Sequence, residues 1–579
     1  MHLKGFVASS LKGTNMAEMR KLTAIIFEDD VDDVTRSLGQ AGIVQFVDMR
    51  EKLDQWKGTL TPYIVSTQTV AKCSEILSKI DAYLERLRLQ AKPVSMEKAE
   101  LPEGRTEELL AEIEKELAEL PIESLAKPSA LLDRKPLLDR IGSMPVDETT
   151  EIGRRLLEFR KVVEMERLSI EEKSKLGEIS EDLLNLGRTT ETERQVAEVE
   201  GKFARTAKTI YFEAWVLEDH LKEAIERVRK ASEGNCVVTE EPVGHGEKQP
   251  VRVKPVPSFM QAFEKLAFSS GLPSAHEVNP APIMAITFPL LFGIMFADVG
   301  QGALFVIFGA LLTYFKRRIK LEQVGDIVRY LLIGAEMFIF LGLASIFWGF
   351  IFGEFFGPSG VLHPLKLAKL GPFYIGGFEP MHEPMKMIRF AILVGSLHIS
   401  LGLVLKLVNT VREREFKHAP IPVAWLWLLW GGLFMWAYLG GISSISRWFG
   451  EGGSMMAGLI ILPLILLVVF TAVAEGPMEG IGFGVEVFAE TLSHTLSYGR
   501  LMALGLVHSV MNYLFLVLGG VEHGHFPLNS IPIIATGTIL VMIIEGLIVF
   551  VHTLRLHWIE WFSKFYSGEG IPFKPFRFT

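Results

Sequence analysis

Seven apolar runs fill the last 300 residues, at 281–315, 327–353, 388–411, 421–445, 454–474, 482–519 and 531–563. In hydrocarbon a chain must satisfy its own backbone polar groups, which segments of this length do as helices. Residues 281–579 therefore read as a polytopic α-helical membrane domain. The first run is long and is broken at Phe296-Ala297-Asp298-Val299-Gly300-Gln301-Gly302, an acid beside two glycines, which suits a turn. Split there, it gives two short spans, 281–297 and 302–316, each near the ~17-residue lower limit for crossing a bilayer.

Charge tests the split. With the N-terminal half in the cytoplasm, the cluster Lys316-Arg317-Arg318-Ile319-Lys320 lies inside, as do Arg412, Arg414 and Lys417 and the tail with Lys564, Lys574 and Arg577. Seven spans would put Lys316–Lys320 and the tail on opposite sides and break the positive-inside rule. Eight spans satisfy it, with both termini cytoplasmic.

Residues 1–280 are rich in Glu, Lys and Arg. Leu22–Phe27 and Ile43–Asp48 read as strands around a helix from Asp29 to Leu38, and Thr209–Val216 and Asn235–Thr239 as strands around a helix from Glu218 to Lys230. Between them, Thr67–Gln90, Glu107–Leu120 and Glu151–Leu184 carry Leu and Ile at helical spacing, the pattern of an antiparallel coiled coil. The expectation is a mainly α chain. A cytoplasmic dumbbell over 1–280, two small α/β lobes joined by coiled coil, precedes eight spans over 281–579.

Several functions are disfavoured. The net charge of −9 speaks against a nucleic-acid partner. Two cysteines, Cys73 and Cys236, are too few for a disulfide scaffold and fit a reducing cytoplasm. Met1-His-Leu-Lys-Gly-Phe6 lacks the apolar core of a signal peptide. Gly201-Lys202 is followed by Phe203, so no Walker A loop is present, and no Gly-x-Ser-x-Gly elbow occurs. No cofactor is expected. His523 and His525 make a weak metal signal in a loop.

The chemistry lies in the last two spans. Between Arg447 and Lys564 the only lysines or arginines are Arg500 and Arg555, both inside apolar segments. An arginine near the middle of a span costs at least ~2.5–3.5 kcal/mol on insertion scales, and ionisable groups in lipid mark ion pathways. On a continuous helix, Glu486 lies roughly 21 Å before Arg500 and about 40° around from it, with Ser493 on the same stripe. Glu486, Glu490, Ser493 and His494 fall on the inner side of Arg500 and His508 on the outer side. Glu545 lies outward of Arg555, and His552 lies beside it. Asp298 and Glu354, next to glycine turns, are further candidates. The alternative is a set of internal ion pairs that only hold helices together.

Ser493-His494-Thr495-Leu496-Ser497-Tyr498-Gly499-Arg500-Leu501-Met502-Ala503-Leu504-Gly505-Leu506-Val507-His508 resembles the signature of the membrane stator subunit, called a or I, of archaeal and vacuolar-type rotary ATPases. A second match is His552-Thr-Leu-Arg555-Leu-His557-Trp558-Ile-Glu560 with Gly568-Glu569-Gly570, and a third is Phe288-Pro289 with Asp298, Gly300 and Gly302. Gly499, Met502 and Gln301 stand where family members often carry Leu, Trp and His. The lack of a long insertion favours the archaeal or bacterial branch. The resemblance implies a rotor ring of small membrane subunits, each with one mid-membrane carboxylate, which passes Arg500 between two offset half-channels. Glu545 and His508 would line the outer one, Glu486 and Glu490 the inner. The dumbbell would bind peripheral-stalk coiled coils. The implied protein is a non-catalytic subunit in a prokaryotic cell membrane, in contact with lipid. A self-contained secondary transporter is the rival reading, although such proteins often show repeated halves and none is evident. A membrane-anchored scaffold would leave two buried arginines unexplained.

Overall fold

A computed structural model describes residues 16–56, 60–63, 67–86, 170–241, 247–319, 325–439, 445–450, 452–521 and 527–578. The chain divides into two compact units. One holds Glu18–His245 with Lys574–Thr579, and the other holds Met1–Ala17 with Gly246–Phe573.

In the first unit, β1 (Met19–Phe27), α1 (Val31–Ala41) and β2 (Val44–Phe46) make one β-α-β half. Beyond β3 (Thr61–Pro62), α2 (Thr67–Arg86), α3 (Ile170–Glu200) and β4 (Ala204–Arg205), a second half follows: β5 (Thr209–Leu217), α4 (Leu221–Ala231) and β6 (Cys236–Glu241). The halves are not two lobes. β1 pairs antiparallel with β5 along its whole length, and β2 and β6 pair with β5 and β1 respectively. The resulting order β2-β5-β1-β6 is the split β-α-β arrangement of ferredoxin-like sheets. The two segments expected to form the separate α/β lobes of the dumbbell therefore share one sheet. The physical reason is that β1 and β2 are not neighbours. A single half would leave an apolar face and unpaired edges, and the other half supplies the missing strands.

Alternation places Leu22, Ala24 and Ile26 with Ile210, Phe212, Ala214 and Val216 on one face, against Val34, Leu38, Ala224 and Val228 of α1 and α4. On the other face Glu213 is buried and takes Nζ of both Lys21 and Lys52 at 2.8 Å and the Tyr211 hydroxyl at 2.8 Å. α2 and α3 pack antiparallel, Ile80 against Gly187 and Cys73 beside Glu193 and Arg194. The expected coiled-coil segment Glu107–Leu120, and the part of Glu151–Leu184 before 170, lie outside the described residues.

The second unit is mainly helical. After α5 (Gln261–Phe268) come α6 (Ala281–Met295), α7 (Val299–Lys316), α8 (Ala335–Phe352), α9 (Pro384–Arg412), α10 (Pro420–Leu439), α11 (Gly453–Ala474), α12 (Pro477–Ser497), α13 (Gly499–Leu518) and α14 (Ile531–Arg555). Among the described residues seven helical segments are long and apolar enough to cross a membrane, and α6 is a shorter apolar helix. Residues 261–268 pack with the membrane helices: Phe263 meets Phe288, and Trp558 donates to the Leu266 carbonyl.

α7 and α8 approach closely because glycines face each other. A Cβ on Gly342 would stand 2.5 Å from the Gly302 carbonyl oxygen, and one on Gly302 would stand 2.9 Å from that of Gly342. Small residues at such contacts let helix backbones pack without a hydrophobic driving force, which lipid does not supply.

Candidate functional site

The helix expected over 482–519 is interrupted at the signature. The Tyr498 N–H reaches back to the Thr495 carbonyl at 3.3 Å, a tighter contact than the α-helical one, and α13 starts at Gly499. The 40° relation between Glu486 and Arg500 assumed a continuous helix, which this turn interrupts. Tyr498 is fully buried, and its hydroxyl meets His398 Nδ1 on α9 at 2.7 Å.

Arg500 is not alone. Its Nη1 donates to Glu560 Oε1 at 3.1 Å and to the Ser497 carbonyl at 3.2 Å. Glu560 is 2% exposed in its side chain and Arg500 23%. Glu560 belongs to a π-helical turn, Leu556–Trp561, that continues α14. Such turns recur at functional sites.

Two further cross-pairs flank this one. Lys564 Nζ binds Glu490 Oε2 at 2.6 Å, and His508 Nδ1 meets Glu545 Oε2 at 3.1 Å. Numbers rise along α12 and α13 while they fall along α14 and its continuation, so the two segments run antiparallel. Glu490 lies on one side of Arg500, and His508 with Glu545 on the other. Lys564, read from the sequence as a cation of the tail, is wholly buried in its side chain and lies 4.3 Å from the Trp425 ring centroid.

Asp298 and Glu354 join the His508 end. Asp298 caps α7: Oδ1 accepts from the Gln301 N–H at 2.8 Å and the Phe356 N–H at 3.1 Å, and Oδ2 from the Gly357 N–H. That wrap holds Phe356 at φ 48°, a left-handed conformation unusual for a bulky residue. The Ser509 hydroxyl donates to Glu354 Oε1, and Gln301 Nε2 donates to Asn512 Oδ1 at 2.6 Å.

The remaining candidates are dispersed. Glu486, Ser493 and Arg555 are exposed, while His494 and His552 are half-buried, each with a buried Nδ1 that has no hydrogen-bond partner. The charges of Arg500 and Arg555 both act on His552. Around them, Phe488, Leu492 and Leu496 of α12 and Ile543, Leu547 and Val551 of α14 are exposed. The most apolar stretches of these two spans are 33% buried, against 56% for α9, 28% for α7 and 17% for α11.

Sequence reasoning gave no role to Glu560, Lys564, Tyr498 or His398. Glu560 carried two signals: it ends the second matched motif, and it is an acid near the end of an apolar run that held an otherwise uncompensated arginine.

Residues 143–364 and 483–578 match the V-type ATPase 116kDa subunit family. The chain belongs to that family. Both arginines, Glu560 and the Asp298 turn fall inside the matched ranges. A-type ATP synthase subunit I of Methanocaldococcus jannaschii is 26% identical across 96% of this chain and 98% of its own length. Its counterpart in Pyrococcus horikoshii is 27% identical across 84% of this chain and 73% of its own length. The vacuolar proton translocating ATPase 100 kDa subunit of Dictyostelium discoideum is 23% identical over 55% of this chain and 52% of its own length.

Proposed function

We propose that this member of the V-type ATPase 116kDa subunit family is the membrane stator subunit of an A/V-type rotary ATPase, a non-catalytic component that carries the ion path. The observation that supports it most is the row of three cross-pairs centred on Arg500, set beside an exposed apolar face.

In this reading α12 and α14 turn that face toward a rotor ring of small subunits, and each ring carboxylate passes Arg500 in turn. A nearby guanidinium favours the charged carboxylate and so release of its proton. The fixed charge, with Arg555 and His552 beside it, also bars ions from crossing directly between the two half-channels. Glu486, Glu490, Ser493 and His494 line the inner path, and the Lys564–Glu490 pair narrows it. His508 and Glu545, backed by Asp298 and Glu354, line the outer path. The membrane potential supplies about 2.3 kcal/mol per charge per 100 mV. Eight spans, counting α6, put both termini in the cytoplasm of a prokaryotic cell, where the N-terminal unit docks peripheral-stalk coiled coils.

Purification in mild detergent tests the assignment. A stator subunit co-purifies with a ring and with nucleotide-binding subunits. Ion transport by the isolated chain would contradict it.

A further inference from the structure

Asp298, Glu354 and His508 each offer a ligand atom, and these atoms lie within 4.8 Å of one another. They come from three places in the chain: the turn before α7, the turn after α8, and α13. All three are almost wholly buried. Glu545 is buried beside them, and among the described residues no lysine or arginine pairs with any of the three carboxylates. Three buried carboxylates around one imidazole need neutralising, by protons or by a cation.

Two observations favour a cation. Glu354 Oε2 is buried without a hydrogen-bond partner. Buried polar atoms are nearly always paired, so such lone pairs point to a missing ligand. The second is the tautomer of His508. Asn512 Nδ2 donates to the His508 carbonyl at 3.0 Å, which fixes its amide, and the same nitrogen lies 3.1 Å from His508 Nε2. Nε2 therefore accepts, and Nδ1–H is given to Glu545 Oε2. An imidazole with a carboxylate behind one nitrogen and a lone pair on the other is the arrangement metal-binding histidines use. On Asp298, Oδ2 takes a single N–H and keeps a lone pair.

We propose that Asp298, Glu354 and His508 form a binding site for a divalent transition-metal ion, with Glu545 orienting the histidine. Two carboxylate oxygens and one imidazole suit Zn²⁺ or Mn²⁺, and are too few and too mixed for Ca²⁺. Bonds of ~2.0–2.2 Å put tetrahedral ligand atoms roughly 3.3–3.6 Å apart, so pairs near the 4.8 Å limit must close by about an ångström as His508 exchanges Asn512 for the metal. Binding a metal also displaces protons held by the carboxyls. The site rests on the proposed function only for the side from which the ion enters, the outer one.

The test is zinc binding to the detergent-solubilised complex without nucleotide turnover, read as zinc content and zinc K-edge absorption. Wild type should hold one more Zn²⁺ per stator subunit than Glu354→Gln, in an oxygen and nitrogen environment with one histidine. Glu354→Gln and His508→Gln should each weaken that ion at least ~10-fold. Ser509→Ala, which removes a hydrogen bond to Glu354 but no metal ligand, should keep it. Equal zinc content and affinity in wild type and both ligand variants would overturn the site. No turnover is involved, so the result is independent of whether the chain couples ion flow to rotation.

Discussion

Glu560→Gln should slow coupled ion transport at least tenfold in an assembled complex. Glu560 is the acid that holds Arg500, at 3.1 Å and with only 2% of its side chain exposed. The Coulomb attraction at that distance is about 5 kcal/mol for an effective dielectric near 20. Desolvation cancels much of it. A hydrogen bond to a charged group contributes about 1.5–3 kcal/mol net. Arg500 keeps some solvent contact, so roughly 2 kcal/mol is the share to expect from the charge. Gln is nearly isosteric and still accepts a hydrogen bond. In the proposed mechanism the guanidinium, no longer partly neutralised, would hold each passing ring carboxylate about 2 kcal/mol more tightly. A 1.36 kcal/mol rise in a barrier is tenfold in rate, so release slows by one to two orders of magnitude. The assay is ATP-driven ion uptake in reconstituted vesicles, with subunit composition checked on the same preparation. Wild-type uptake by an assembled Glu560→Gln complex would refute the idea that this pair tunes the arginine.

Burial raises the pKa of Glu200, at the end of α3, to about 7, helped by repulsion from Asp32 and opposed by Arg36. The folded state then binds a proton more tightly than the unfolded one. Stability of this unit should fall as pH rises from about 4.5 to 7, by on the order of 3 kcal/mol, and stay low above. Glu200→Gln should remove that slope, read as hydrogen exchange of α1 and α3 against pH; an unchanged slope would refute it. Cysteines placed at Glu486 and Glu545 should react with impermeant thiol reagents added from opposite sides. Labelling of both from one side would break the two-path assignment. Gly342→Leu should prevent α7 and α8 from packing, because the Gly302 carbonyl occupies the space its Cβ needs. Unchanged heat resistance of the complex would count against that contact.

Local chemistry was readable in advance. The helix break around Asp298 and the opposed directions of the last two spans follow from an acid beside glycines and from charge placement. The sheet was not. β1 and β5 pair across most of the N-terminal half, and no local period in the sequence records a partner so distant. Glu560 was missed for a related reason. A π-helical turn shifts the register past Arg555, which leaves Arg555 exposed and brings Glu560 inward to a helix whose own ladder is interrupted at Tyr498. Lys564 looked like an interfacial charge because its partner, Glu490, lies on the neighbouring span.

ATP-driven ion uptake by vesicles carrying Arg500→Ala tests whether this arginine couples ion flow to rotation. The expected result is an assembled complex with no coupled uptake, and the same failure in Arg500→Lys, whose compact ammonium does not reproduce the planar guanidinium that meets Glu560 and the Ser497 carbonyl. Uptake at the wild-type rate in an assembled Arg500→Ala complex would contradict it.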